Sequence, residues 1–187
     1  MLNWDELENK CHTCTRCGLC QTRNHVVFGV GNRNADIMLV GEGPGEQEDL
    51  QGEPFVGAAG KFLDDMLSII DIDRTNCYIA NIVKCRPPKN RDPEENEQDA
   101  CMDYLRNQVA LVRPKIIVCL GRIAAKRLIE PEYRITRSHG NWICRNGIWL
   151  TSIYHPSALL RDTSKRPETF EDLLSIRRKL QEVRTNR

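Results

Sequence analysis

The sequence has little that would place it in a membrane or mark it for secretion. No apolar run approaches the roughly eighteen residues that a membrane-spanning helix needs. The first residues are rich in acids (Asp5, Glu6, Glu8) and lack the apolar stretch of a signal peptide. Cationic and anionic side chains nearly balance, with a net charge of +1, so binding to a polyanion would need a local basic face. These absences predict a cytoplasmic protein with no membrane partner.

Length and composition are those of an ordinary globular protein. The 187 residues are 40% hydrophobic and 28% charged, which suffices for a substantial buried core. We find no internal repeat, linker or low-complexity tract. The sequence therefore predicts a single domain over residues 1–187.

Short apolar runs alternate with helical stretches, a pattern typical of a parallel sheet covered by helices. Residues 36–41, 77–83 and 115–121 are predicted to be buried strands, and residues 60–71 have their apolar side chains at helical spacing. Asn146-Gly147 favours a hairpin turn between two further strands. Asp92 and Pro93 are typical of the N-cap and first position of a long helix. The predicted fold class is α/β.

Polar or glycine-rich segments follow three of the predicted strands. They begin at Gly41 (Gly-Glu-Gly-Pro-Gly), at Asn81 and at His155 (His-Pro-Ser). Ligands gather at the carboxyl ends of strands in open α/β sheets. The glycine-rich turn matches neither a dinucleotide-binding GxGxxG nor a P-loop. Each segment alone has an ordinary structural explanation, but together they indicate a binding site.

Nine cysteines with no sign of secretion favour reduced thiols and a metal over disulfides. Cys14 and Cys17 form a CxxC, and Cys85 and Cys101 follow about seventy residues later. Four cysteine thiolates are the usual ligands of iron–sulfur clusters, although zinc takes the same set. Two more, Cys11 and Cys20, extend the first pair to CxxCxxCxxC, as in a ferredoxin-type loop, and are alternative ligands. Three others (Cys77, Cys119, Cys144) are predicted to be buried, inert thiols.

The motifs together resemble the family-4 uracil-DNA glycosylases over nearly the whole chain. They are Gly-Glu-Gly-Pro-Gly-Glu-Gln-Glu-Asp from Gly41, Gly-Glu-Pro-Phe-Val-Gly from Gly52, Asn-Ile-Val-Lys-Cys-Arg-Pro-Pro from Asn81, and His-Pro-Ser from His155. The resemblance implies a three-layer α/β/α sandwich on a four-stranded, mainly parallel sheet. It implies hydrolysis of the N-glycosidic bond of uracil in DNA, the first step of base-excision repair. It also implies a [4Fe-4S] cluster on Cys14, Cys17, Cys85 and Cys101.

The residue types at these motifs suit uracil recognition. A base must leave the duplex before it can be attacked, and Phe55 is the predicted stacking platform for it. The carboxamide of Asn81 offers a donor and an acceptor, so it can pair with uracil O4 and N3–H, whereas cytosine presents the opposite pattern. The resemblance adds backbone contacts to uracil from Gly41, Glu42 and Gly43.

Three side chains are predicted to act in catalysis. Negative charge develops on uracil O2 as the base leaves, and His155 is the predicted donor to that atom. Glu42 is the first candidate carboxylate for the water or the sugar. Glu48, by analogy with the family, lies near the base C5 and helps to exclude the thymine methyl group. Many relatives in the wider superfamily have an aspartate where this chain has Gly43, so the usual water-activating carboxylate is absent here.

Cations follow Asn81 closely in the sequence. Lys84, Arg86, Lys89 and Arg91 lie within eight residues around two prolines, and we predict that they contact DNA phosphates on a loop held by the metal. Arg161, after the His155 segment, is predicted to face the DNA as well. Leu159 and Leu160 are candidates for a wedge that fills the gap left by the extruded base.

Two rival functions remain open on the sequence alone. One is a cluster-bearing redox or nucleic-acid-binding protein without hydrolysis, and the other is a related glycosylase that also accepts hypoxanthine or mismatched thymine. No histidine lies between Cys85 and Cys101, so the covalent trapping of some relatives is not expected. We expect a monomer acting on single- or double-stranded DNA that contains uracil, with a sliding clamp as a partner to be tested.

Overall fold

The computed structural model of the protein describes residues 2–185, and within them the strands form one twisted sheet. The six strands of these residues are β1 (Val30–Gly31), β2 (Ile37–Gly41), β3 (Cys77–Asn81), β4 (Ile116–Leu120), β5 (Ile143–Arg145) and β6 (Ile148–Ile153). Their order across the sheet is β1-β3-β2-β4-β6-β5. The four central strands are parallel, and β1 and β5 pair antiparallel at the two edges.

Helices cover both faces of this sheet. Those of the described residues are α1 (Trp4–His12), α2 (Glu46–Gln51), α3 (Ala58–Ile69), α4 (Glu95–Val112), α5 (Arg122–Leu128), α6 (Ile135–Ser138), α7 (Pro156–Arg161) and α8 (Arg166–Thr185). None of them is long and apolar enough to cross a membrane.

Two hydrophobic cores lie on opposite faces of the sheet, because alternate side chains of a strand point to opposite sides. In β2, Met38 and Val40 belong to one core, with Leu7 of α1 and Leu105 of α4. Ile37 and Leu39 belong to the other core, which takes side chains from α3, α7 and α8. The predicted three-layer α/β/α sandwich is confirmed.

The sheet is larger than the four strands predicted. The expected parallel strands form its centre, and the structure adds an antiparallel strand at each edge. The β5–β6 hairpin confirms the prediction from Asn146-Gly147, since both residues have the positive φ values (50° and 80°) of a tight hairpin turn. Strand β1 was not predicted because a strand of two residues leaves no alternating pattern in the sequence.

The long helix begins later than its sequence predicts. Glu94 is the N-cap of α4, and not Asp92. The carboxylate of Glu97 accepts the Glu94 N–H at 2.8 Å and is clamped by both terminal nitrogens of Arg91 at 2.8 and 2.7 Å. Asp92 pairs instead with Arg122 of α5. A partner distant in sequence therefore fixed where this helix starts.

Candidate active site

A cavity of about 430 Å³ opens at the carboxyl edge of the four parallel strands. Such edges are where α/β sheets bind ligands, most often where the strand order reverses. Here the order reverses at β2, whose neighbours are β3 and β4. The residues that follow the strands line the cavity, among them Glu42 after β2, Asn81 at the end of β3, Gly121 after β4, and His155 after β6. The three predicted segments thus meet in one site.

The carboxamide of Asn81 is buried in this site with one polar atom unused. Asn81 is 2% exposed, and its Oδ1 accepts no hydrogen bond from any residue that the structure describes. A buried polar atom without a partner is unfavourable by about 1–3 kcal/mol. A methyl group on Gly41 would overlap this oxygen and come within 2.7 Å of Cζ of Phe55. Glycine at position 41 therefore leaves room beside a hydrogen-bond acceptor, as a site for an N–H donor requires.

Phe55 is held in place through its backbone. It has a φ of +55°, which non-glycine residues seldom adopt, and its carbonyl group lies where Gly60 of α3 would otherwise carry a side chain. Arg74 donates to the carbonyl oxygens of Phe55 and Pro54, both at 3.0 Å, and pairs with Asp64. The ring is buried at the cavity wall, so it is a rigid apolar surface beside Asn81.

The imidazole of His155 has a defined tautomer. Its Nδ1 accepts the backbone N–H of Ser157 at 3.1 Å and lies 2.8 Å from the hydroxyl oxygen of that residue. Because a backbone N–H only donates, Nδ1 carries no proton and Nε2 carries one. Burial, and then the charge of Arg161, lower the pKa of His155 to about 4, against the opposing effect of Glu48. His155 is thus a neutral N–H donor at neutral pH, with its ring centroid 5.7 Å from that of Phe55.

The carboxyl group of Glu42 is half-buried at the cavity wall. Burial, and then the negative charge of Asp92, raise its pKa to about 7, while Arg122 acts in the opposite direction. A carboxyl group with such a pKa can take and return a proton at neutral pH. This is the property that a group activating a water molecule needs.

Glu48 also lines the cavity, but its two oxygens are already engaged. One accepts the N–H groups of Val56 and Gly57, each at 2.9 Å, and the other accepts that of Gly45 at 3.1 Å. Glu48 therefore links the glycine-rich turn to the segment that carries Phe55. These contacts favour a positioning role over the activation of water.

One predicted DNA contact is wrong. Lys84 is 1% exposed, and its ammonium group donates to the Asn81 carbonyl at 3.0 Å and to Gln108 Oε1 at 2.7 Å. It points into the protein because the buried Gln108 of α4 offers it an acceptor, so it does not reach a phosphate.

Of the other predicted cations, two line the cavity, and two are next in sequence to lining residues, Arg86 to Pro87 and Lys89 to Asn90. Arg91 and Arg161 line the cavity, and Lys89 and Arg161 are exposed. Arg86 is half-buried and donates to Asn90 at 2.8 Å. Of the two candidate wedge residues, Leu159 is 1% exposed and packs in the core, whereas Leu160 is 41% exposed.

Sequence reasoning missed several residues of this site. Gly121 and Arg122 line the cavity after β4, and Tyr154 lies beside His155. Gly121, with a φ of +92°, lets the end of β4 approach the His155 side chain, because a methyl group there would come within 2.9 Å of it. A signal was present, since Gly121 is the last residue of the predicted third strand and lies at the same edge of the sheet. The contact between Tyr154 and His139, with ring centroids 5.0 Å apart, had no such signal.

A second, small cavity collects cysteines from the N-terminal segment and from the middle of the sequence. All four predicted ligands line it, together with the two alternative ligands, Cys11 and Cys20. Arg23 donates to Cys85 Sγ at 3.3 Å, and the backbone N–H of Lys84 donates to Cys101 Sγ at 3.2 Å. Hydrogen bonds to sulfur of this kind surround thiolate ligands in metal sites.

Among residues 2–185 no three histidine, cysteine or acidic side chains are close enough to hold a single metal ion. A four-iron cluster binds each thiolate through a different iron, so its four sulfurs stand farther apart than the ligands of one ion. The donor set of six thiols fits such a group. The exposed Cys144, by contrast, lies on β5, so the prediction that it is buried is wrong.

Comparisons with known proteins identify the family of this chain. A model of the uracil-DNA glycosylase superfamily matches residues 28–180. The type-4 uracil-DNA glycosylase of Archaeoglobus fulgidus is 44% identical over 94% of this chain and 92% of its own length. Those of Sulfurisphaera tokodaii (42% identical, 92% of this chain and 83% of that one) and Thermotoga maritima (44%, 86% and 85%) are similarly close. The chain therefore belongs to the uracil-DNA glycosylase superfamily, and within it to the type-4 enzymes.

Proposed function

We propose that this chain hydrolyses the N-glycosidic bond between uracil and deoxyribose in DNA, releasing uracil and leaving an abasic site. This reaction begins the base-excision repair of deaminated cytosine. The observation that carries the proposal is the buried, unpartnered Oδ1 of Asn81 beside Gly41. An N–H donor is needed there, and uracil has one at N3. The type-4 relatives are uracil-DNA glycosylases, which is the same activity.

Recognition follows from the chemistry of the amide. Asn81 Oδ1 accepts uracil N3–H while its NH₂ group donates to O4. Cytosine has an acceptor at N3 and a donor at its 4-position, so it would leave both groups of Asn81 mismatched, and a site built around hydrogen bonds rejects such a base strongly. Phe55 supports the extruded ring, and the backbone of Gly41, Glu42 and Gly43 borders it.

Bond cleavage sends the electron pair of the C1′–N1 bond onto the uracil ring. The Nε2–H group of His155 donates a hydrogen bond to O2, where the charge develops, and His155 needs no proton from solvent for this because it is neutral. Removing one donor of this kind typically lowers kcat by ~10²–10³-fold. Water then bonds to C1′ and gives its proton to the Glu42 carboxylate, while the released uracil anion takes a proton from solvent.

We further propose that the thiols of the second cavity hold a [4Fe-4S] cluster through Cys14, Cys17, Cys85 and Cys101. When bound, the cluster would cross-link the N-terminal segment, the loop after β3 and helix α4. It would supply structural stability, and no step of the hydrolysis needs it. Iron content and visible absorbance distinguish it from zinc, and the same measurements on Cys11→Ser and Cys20→Ser show whether either residue replaces a neighbour.

We propose that DNA binds to a face of the protein formed by Arg86, Lys89, Arg91 and Arg161 around the cavity mouth. The exposed Leu160 is the proposed wedge. We propose a monomeric, single-domain enzyme that acts in the cytoplasm, where its thiols stay reduced. A sliding clamp is a partner to test by co-purification.

The direct test is base release from matched oligonucleotides that contain a single uracil, thymine or cytosine. Abasic sites are cleaved with alkali and counted on a gel. We expect release from uracil alone, and a large loss in the His155→Ala variant. No release by protein that has kept its metal would overturn the proposed function.

A further inference from the structure

Lys84 is an unusual residue for a protein interior. It lies on the loop after β3, is 1% exposed, and has its ammonium group hydrogen-bonded to two neutral oxygens, those of Asn81 and Gln108. Buried ammonium groups are unfavourable unless a negative charge lies near them. Because it is buried, Lys84 does not make the DNA phosphate contact predicted from the sequence, and the proposed hydrolysis has no step that uses it.

The negatively ionisable groups near Lys84 are thiols of the second cavity, called the cysteine cavity below because six cysteines (Cys11, Cys14, Cys17, Cys20, Cys85 and Cys101) line it. Lys84 lines the same cavity as Cys11, Cys85 and Cys101, and its backbone N–H donates to Cys101 Sγ at 3.2 Å. A group ligated by several thiolates has net negative charge. The ammonium of Lys84 therefore has its counter-charge when the cysteine site is loaded.

The same ammonium reaches the uracil site. It holds the carbonyl oxygen of Asn81, the residue whose amide is proposed to read the base. Gln108 fixes the ammonium from the other side, and its own NH₂ group donates to Phe28 O at 2.8 Å and Tyr78 Oη at 3.0 Å. Lys84 also donates its backbone N–H to Cys101 Sγ. One residue thus bonds to a predicted metal ligand and to the predicted base reader.

We propose that Lys84 is a positioning residue that compensates the charge of the loaded cysteine site and fixes Asn81 for uracil recognition, so that loss of the metal group weakens recognition of the base. The inference rests on the proposed function for the uracil site. The part of the inference that concerns charge compensation involves only the metal site, so metal retention tests it without DNA.

The test compares Lys84→Met, which keeps most of the length of the side chain and removes the charge, with Lys126→Met at an exposed lysine of α5. Iron per chain, visible absorbance and the rate of iron loss to a chelator report on the metal. Single-turnover rates and DNA affinity on a uracil oligonucleotide report on the site. We expect Lys84→Met to lose iron and to excise uracil ~10–100-fold more slowly, the range for residues that support metal ligands, with a smaller loss of DNA affinity as the phosphate-contacting loop loses its anchor. Lys126→Met should match the parent protein.

Lys84→Arg separates the two roles. It keeps the charge and changes the contact with Asn81, so we expect iron retention close to that of the parent with slower excision. Parental iron retention and excision in Lys84→Met would overturn the proposal, and loss of iron with parental excision would overturn the coupling.

If Lys84→Met does not fold, Gln108→Leu removes one acceptor of the ammonium and leaves the loop sequence intact. Smaller losses of iron and of excision are expected, and a folded variant unchanged in both would contradict the proposal. Failure of the proposed function is distinguishable, because the parent protein would then release no uracil while the iron measurements still test the counter-charge.

Discussion

The uracil cavity and the cysteine cavity lie on either side of one short segment, residues 81–85, and they are built differently. The first is formed by strand ends and backbone contacts, such as the three N–H groups that fix Glu48. The second is formed by side chains from distant parts of the chain that share no covalent link, since all nine cysteines are free. The first is held by hydrogen bonds within the protein, whereas under our proposal the second is held together by its metal group. The comparison indicates that chemistry belongs to one cavity and stability to the other.

The largest expected effect separates the two cavities most clearly. His155→Ala should slow uracil excision by ~10²–10³-fold, because the donor to O2 is lost, and should leave iron content unchanged. Single-turnover rates measure the effect. Ser157→Ala is the matched control, since the backbone N–H of Ser157 still fixes the imidazole, and a much smaller loss is expected. Excision by His155→Ala at close to the parental rate would contradict the assignment.

The pH dependence of excision tests Glu42. Its pKa is raised to about 7, and the proposed base is the carboxylate form, so the rate should rise as the pH increases through that value and then level off. His155, with a pKa lowered to about 4, stays neutral over this range and contributes no change.

At a pH above the pKa of Glu42, Glu42→Gln should excise uracil ~10²-fold more slowly than the parent, within the range for general base catalysis. Its rate should also no longer rise with pH. Glu53→Gln, at an exposed position, should keep the rise. A rise that persists in Glu42→Gln would show that another group is the base.

Cys85→Ser addresses the second cavity. We expect loss of iron, a lower melting temperature, and an excision rate reduced by ~10-fold or more, because the loop with Arg86 and Arg91 loses its anchor. Cys144→Ser, at the exposed thiol of β5, is the control and should change neither iron content nor stability. Full stability of Cys85→Ser without iron would remove the structural role proposed for the cluster.

The smallest expected effect concerns the DNA-binding face. Arg161→Ala should weaken DNA binding a few-fold. It should also make the slope of log affinity against log salt concentration less steep by about 1, as for one lost phosphate contact. Binding titrations at several salt concentrations measure the slope. The fraction of Lys84→Met that keeps its iron should show the parental slope, because Lys84 is buried and the loop stays anchored. An equal change in both variants would contradict the corrected assignment of Lys84.

Features determined locally were predictable from the sequence. The strand that ends at Gly41 and the Asn146-Gly147 hairpin depend on neighbouring residues, and the predicted site segments meet because parallel strands end at one edge. Features determined by distant partners were missed. The burial of Lys84 depends on Gln108, and the start of α4 depends on Asp92, which pairs with Arg122 of α5 instead of capping the helix. Positions of charged side chains within a loop require the fold to be known.

The most direct test of the central claim compares the parent protein with Asn81→Asp on oligonucleotides that contain a single uracil or cytosine. The account predicts that the parent releases uracil alone and that the variant loses much of its preference, since a carboxylate cannot donate to O4. Iron content should be equal in the two proteins. An unchanged preference for uracil in Asn81→Asp would show that Asn81 does not read the base.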